Sequence, residues 1–235
     1  MVRSGRLGVS PRARARLALT AVLIGRQLAG VAHRRPGAAR GEVVRALAVA
    51  GLGLAAVLGT HLYDFRAHDL RIRVLDAASA WSFSHWLATC AFAAGAVAGI
   101  VGARARGARR RWWWACAGLF TFFFLDNVTR AHEHVAGWPI FYAPLLAALS
   151  AVLLVLVAGT ELEAVVVLGL VLLVVSLAIH VFGPHVVRAA GWSEHGMAYQ
   201  VKIGLKEGLE LAGWLMVAPA IARRAWAERR AAGEG

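Results

Sequence analysis

Cysteine is nearly absent: Cys90 and Cys116 are the only two in 235 residues, and both lie inside apolar stretches. Two such residues build neither a disulfide framework nor a cysteine zinc motif, so they read as core fillers. Charge is scarce as well, at 17% of residues against 59% hydrophobic, and acids are outnumbered 13 to 26 by Lys and Arg. That balance excludes an ordinary soluble domain and points to several apolar spans. Lysine is rarer still. Apart from Lys202 and Lys206 every one of those basic residues is Arg, and most sit in the tails and short loops between apolar runs. Basic residues placed there act as topology signals and face anionic lipid headgroups. No aromatic-interleaved basic groove accompanies them, so the net charge of +13 does not indicate nucleic acid. Long linkers, low-complexity tracts and strong repeats are also missing, which leaves one helical domain as the simplest organisation.

What is present is a series of six windows near 20 apolar residues, at about 43–63, 80–102, 112–133, 138–158, 163–183 and 198–220. They predict an all-α membrane protein, a six-transmembrane-helix bundle over 41–222, with a basic arm over 1–40 and a basic tail over 223–235. The arm carries nine Arg and no acid, and its short apolar run is broken by Arg26. That pattern suits an amphipathic helix on the inner leaflet better than a signal peptide. Basic clusters precede the first span, separate the second from the third (Arg104, Arg106, Arg109, Arg110, Arg111) and follow the sixth (Arg223, Arg224, Arg229, Arg230). An even span count puts all three on one side, so both termini are expected in the cytoplasm of a bacterial inner membrane. Trp112, Trp113 and Trp114 then mark the inner interface, and Trp81, Trp86, Trp138 and Trp192 the outer one. Gly204, Gly208 and Ala212 recur every four residues, a small-residue stripe suited to close helix packing.

The sixth span carries charge where a membrane helix should not. At about 100° per residue, Tyr199, Lys202, Lys206, Glu207 and Glu210 fall within an arc of roughly 140°. Each ionisable group at bilayer depth costs on the order of 2.5–3.5 kcal/mol, so the stripe must face partners inside the protein. A second stripe lies on the third span, where Asp126, Arg130 and Glu133 fall within about 60° if the helix is continuous, with Asn127 and His134 beside them. His132 then points the other way. Asp126 with Arg130, and Lys206 with Glu210, have the i, i+4 spacing of ion pairs. His61 near the end of the first span, His85 at the start of the second and His180 in the fifth bring further polar groups to the same level.

Imidazole and carboxylate are the ligands that suit zinc, iron or manganese, so a divalent-metal site is expected from Asp126, His134, His61, His85, His180 and Glu210. Metal-bound water would supply a nucleophile, with Glu133 or Glu207 as general base and Lys206 or Arg130 stabilising developing negative charge. The expected reaction is hydrolysis of a lipid or other amphiphile reached from the outer leaflet. No H-E-x-x-H is present, and His132-Glu133-His134 cannot aim both imidazoles at one ion from a regular helix. The alternatives are a small ion- or proton-coupled transporter, a haem held by two His, or a structural membrane protein without catalysis. The partners implied are the bilayer and an amphiphilic substrate, and the chain is also suited to homo-oligomerisation.

The pairing of Leu125-Asp126 with His132-Glu133, and the later Glu207-Gly208-Leu209-Glu210-Leu211-Ala212-Gly213, resembles a pattern in uncharacterised bacterial polytopic proteins of similar size. There an L-D segment leads to H-E and a later helix reads E-G-L-E-L-x-G. The resemblance implies a shared site and names no activity; Asn127 stands where a further acid is expected. The ceramidase and progestin-receptor-like membrane hydrolases place Ser, His and Asp around zinc, but their paired His have three residues between them, whereas four residues separate His180 from His185.

Overall fold

Apolar side chains that cannot be covered by solvent-facing polar ones leave helices as the natural way to satisfy the backbone internally. The computed structural model describes residues 36–233 apart from 106, 136, 137, 194 and 195, so the basic arm over 1–35 lies outside the described residues. Among the described residues the chain forms six α-helices and no strand: α1 (Pro36–His68), α2 (Phe83–Arg104), α3 (Arg110–Thr129), α4 (Trp138–Val157), α5 (Glu163–Ala189) and α6 (Met197–Gly233). A 3-10 turn, Ala131–His134, follows α3. Each helix falls on one of the six apolar windows. Three of them, over Arg40–His68, Phe83–Arg104 and Glu163–Ala189, are long and apolar enough to cross a membrane. The others fall short of the expected six for identifiable reasons. α3 carries Arg110 and Arg111 in its first turn and Asp126 near its end, the described apolar run of α4 is Phe141–Val157, and α6 carries four charges in its first half. The segment expected as a separate tail continues α6 as helix to Gly233.

Helices consecutive in sequence run antiparallel, while the central pair α2 and α6 run parallel, and glycine sets how closely helices approach. Along α2, Gly95, Gly99 and Gly102 face Phe120, Ala117 and Trp113 of α3 in turn; a Cβ on Gly99 would lie 2.5 Å from the Ala117 backbone nitrogen. Between α5 and α6, Gly169 and Gly213 lie against each other's carbonyls, each with room for no side chain. The expected Gly204 and Gly208 stripe packs on Leu58 and Leu54 of α1. Small residues let helix backbones meet closely. α2 and α6 form the centre of the bundle, with α3 and α5 on their flanks and α4 more lightly packed. The core holds Trp113, Phe120, Leu211, Met216 and Ile221, all under 2% exposed. Trp113, expected at an interface, is therefore a core residue, whereas Trp114 is exposed. Cys116 is buried as expected; Cys90 is exposed.

Antiparallel order gathers the C-termini of α1, α3 and α5 with the N-termini of α2, α4 and α6 at one end. The opposite end is tied by ion pairs. Glu228 on α6 accepts from Trp113 Nε1 (2.6 Å) and Arg109 (3.2 Å) and pairs with Arg224, while Arg223 bonds Glu42 of α1.

Replacing Gly99 by Val drives a branched side chain into the α3 backbone, a cost of about 1–3 kcal/mol. Gly51→Ala, on an open helix face, should be neutral or stabilising by up to about 1 kcal/mol. Thermal unfolding of the two variants in detergent checks the contrast.

Candidate functional site

A cavity of about 310 Å³ opens in the end where α2, α4 and α6 begin. Its walls come from five helices, the 3-10 turn and residues 77–80 of the α1–α2 loop. The stripes of α3 and α6 meet in it: Asp126 and Arg130 line one side, Lys206, Glu207 and Glu210 another. Below them Phe92, Phe123 and Trp214 form an aromatic floor, with Phe92 and Trp214 edge to face at 4.7 Å.

α3 does not continue through 133 as expected. It ends at Thr129 because Arg130 takes a left-handed conformation, φ 55°, and donates its N–H to the Asp126 carbonyl at 2.6 Å. A non-glycine residue there costs about 1–2 kcal/mol, and the turn is held by the Asp126 side chain. Asp126 Oδ1 accepts the His132 backbone N–H at 2.9 Å, and Oδ2 lies 2.6 Å from His132 Nδ1. His132, which a continuous helix would point away, is thereby folded back against Asp126 and faces the cavity. An ionised carboxylate only accepts, so Nδ1 carries the proton and Nε2 is left for a reacting group. The His132 ring packs edge-on against Trp138 and Tyr142, at 5.2 and 5.6 Å.

On α6, Lys206 Nζ lies 2.9 Å from both Glu207 and Glu210, which includes the expected i, i+4 pair. Ser176 of α5 donates to the Lys206 carbonyl at 2.9 Å and fixes this turn against its neighbour. Lys202 leaves the cluster: its stem packs on Gly183 and its ammonium sits 4.8 Å over the Tyr199 ring.

The expected ligand set is only partly brought together. His85 and His180 line the cavity, the His180 ring lying tilted against Trp138 at 4.8 Å. His134 is exposed and lies outside the wall. The side chain of Glu133 lies outside the described residues. His61 is fully buried and spent on structure, because Nδ1 accepts the Ala77 N–H and Nε2 faces Gln200 Oε1, each at 3.1 Å. A metal role for His61 is therefore corrected to that of a clasp between α1, α6 and the loop. Among the described residues no three His, Cys, Asp or Glu converge as a metal site. Asn127 ties α3 to α2 through Thr89 Oγ1 at 2.6 Å. The sequence did not single out Gln200 or Tyr142, placed Trp138 only at the outer interface, and set His132 aside as pointing away rather than as an oriented base. The His132-Glu133 motif was a signal for that base, once the chain reversal at Arg130 is known.

The loop that roofs the cavity is pinned by the same clasp. Ile72 N–H donates to Asp64 Oδ1 at 3.2 Å, and Ala78 N–H to Asp76 Oδ1 at 3.0 Å. Partial burial pushes the Asp76 carboxyl up, but the hydrogen bonding it receives, the Ala78 amide included, outweighs it and holds it below its ordinary value. Its contribution to the loop is present above the ordinary carboxylate range and is lost as pH falls through the lowered value.

The family model for a domain of unknown function (DUF8692) matches residues 16–223, so the chain belongs to that family. No curated protein and no solved structure matches it.

His61→Ala strands the Ala77 amide and Gln200 in the interior, at about 1–3 kcal/mol for each unpaired group. His134→Ala should leave stability unchanged. Thermal unfolding of both variants at neutral pH tests the distinction between clasp and surface residue.

Proposed function

We propose that this member of the DUF8692 family is a polytopic inner-membrane hydrolase that uses the Asp126–His132 pair as a general base on an ester-bearing amphiphile. The reading includes six membrane-embedded helices, both termini in the cytoplasm and the cavity at the outer end. Three helices of membrane-spanning length and apolarity support it, together with exposed apolar side chains such as Leu52 (73%) and Phe182 (64%). So does the charge distribution. Arg104, Arg109, Arg110, Arg111, Arg223 and Arg224 all belong to the end opposite the cavity, where the positive-inside rule expects cytoplasm.

The observation that carries the reading is the 2.6 Å contact between Asp126 and His132 in a cavity wall. A carboxylate on Nδ1 fixes the tautomer and orientation of the ring and stabilises the imidazolium formed when Nε2 takes a proton. Water attacking an acyl carbonyl would give its proton to Nε2, and the same proton would then pass to the leaving alkoxide, yielding a carboxylic acid and an alcohol. Arg130 in the cavity lining favours the negative charge that develops on the carbonyl oxygen, whereas Lys206 on the other side is already held by Glu207 and Glu210. The lower wall of Phe92, Phe123, Leu146, Leu173 and Trp214 suits an acyl chain rather than a hydrated ion. That aromatic floor also favours a blind binding site over a transport path.

The test is release of fatty acid from monoacylglycerol and phospholipid esters in proteoliposomes, measured by mass spectrometry. The wild type should release acid. His132→Ala should be slower by about 10²- to 10⁴-fold, the usual worth of a general base. Equal rates in the two, or no release from any ester, would defeat the reading. Elemental analysis of the purified protein decides whether a divalent metal accompanies the pair.

A further inference from the structure

At the other end of the bundle, the α4–α5 turn and the last turns of α6 border a second hollow of about 390 Å³. Arg223, Arg224 and Arg230 line it with Trp226, and Glu161 is the one acid in its wall. Their commitments differ. Arg224 is spent inside the fold, since Nε donates to the Leu156 carbonyl at 3.1 Å and the other arm pairs with Glu228. Arg223 is tied to Glu42 but 52% exposed, and it reaches Glu161 only at 3.8 Å. Arg230 is exposed and has no ion-pair or hydrogen-bond partner among the described residues. Next to it Trp226 is 49% exposed, with the Arg229 guanidinium 5.5 Å over its ring.

The level of this hollow in the molecule decides what it meets. It abuts Glu163, where α5 begins, and antiparallel packing puts the first turns of α1 and the last turn of α2 at the same height. All three membrane-length segments therefore leave the apolar zone here. A half-exposed Trp beside the unpaired Arg230 guanidinium at that height is an arrangement for the headgroup layer, where Arg binds phosphate through its planar fork.

We infer that this hollow binds the phosphate of an anionic lipid headgroup, with Arg230 and the exposed arm of Arg223 on the phosphate oxygens and Trp226 beside the glycerol. The site is separate from the acid–base cavity and does not depend on its chemistry.

The experiment uses the full chain in phosphatidylcholine nanodiscs, with phosphatidylglycerol or inorganic phosphate added in parallel. Retained lipid is read by native mass spectrometry and stability by thermal unfolding. Phosphatidylglycerol should be retained and should raise the melting temperature of the wild type. Arg230→Gln, which breaks no contact of the fold, should lower retention about fivefold. Arg66→Gln, with the same charge change at the opposite end of α1, should have no effect. Trp226→Leu is a second variant that should weaken retention without altering charge. Stabilisation by inorganic phosphate alone, lost in Arg230→Gln, would keep the phosphate site and assign its source to the free ion. Retention that is unchanged in Arg230→Gln, or lowered equally by Arg66→Gln, would overturn the site.

Discussion

A charged stripe on the central helix of an apolar bundle has to be neutralised where it lies, and the rest of the site follows from how α6 meets that demand. Lys206 stands between Glu207 and Glu210 at 2.9 Å from each, so one ammonium is shared by two carboxyl groups. Side chains that stay 17–33% exposed mark this as the wall of a cavity rather than a sealed core. A dry interior would make such a cluster costly, and opening the end of the bundle lowers that cost. The cavity is in this sense the consequence of placing three ionisable groups on a helix that must also pack.

The other constraint is helix approach. α6 uses one side for α1, through Gly204 and Gly208, and another for α5, through Gly213. A third side meets α2 through Trp214 on Phe92, and the charged side that is left faces the cavity lined by α3, α4 and α5. Close contact at the glycines holds α6 in register, and the Ser176 bond to the Lys206 carbonyl adds a polar pin at the level of the charges. The far end is fastened by Glu228 and its Trp113 and Arg partners. The lightly packed α4 leaves room for the cavity beside the charged stripe.

Much of this was legible before any coordinates. Apolar windows located all six helices, because about 20 apolar residues in a row have few other uses. The Lys206–Glu210 spacing predicted a contact that forms, because i, i+4 geometry is local to the helix. The convergence of Asp126 with Glu210 on one cavity was also inferable, since polar stripes on an apolar background must face each other. What was misread is instructive. His132 was turned outward by assuming that α3 continued, and only the left-handed Arg130 reverses it. His61 looked like a ligand by its depth and type, yet both ring nitrogens are taken by Ala77 and Gln200, partners 16 and 139 residues away. Local spacing carries no information about such pairings.

Composition and periodicity alone determined the helical class, the positions of the helices and the faces that had to be buried, because each depends on residues within a turn or two of one another. Tertiary structure alone decided which imidazole is free, which carboxylate orients it and where the cavity closes. Those outcomes rest on a single αL residue and on contacts between distant segments, and neither is written in the local pattern.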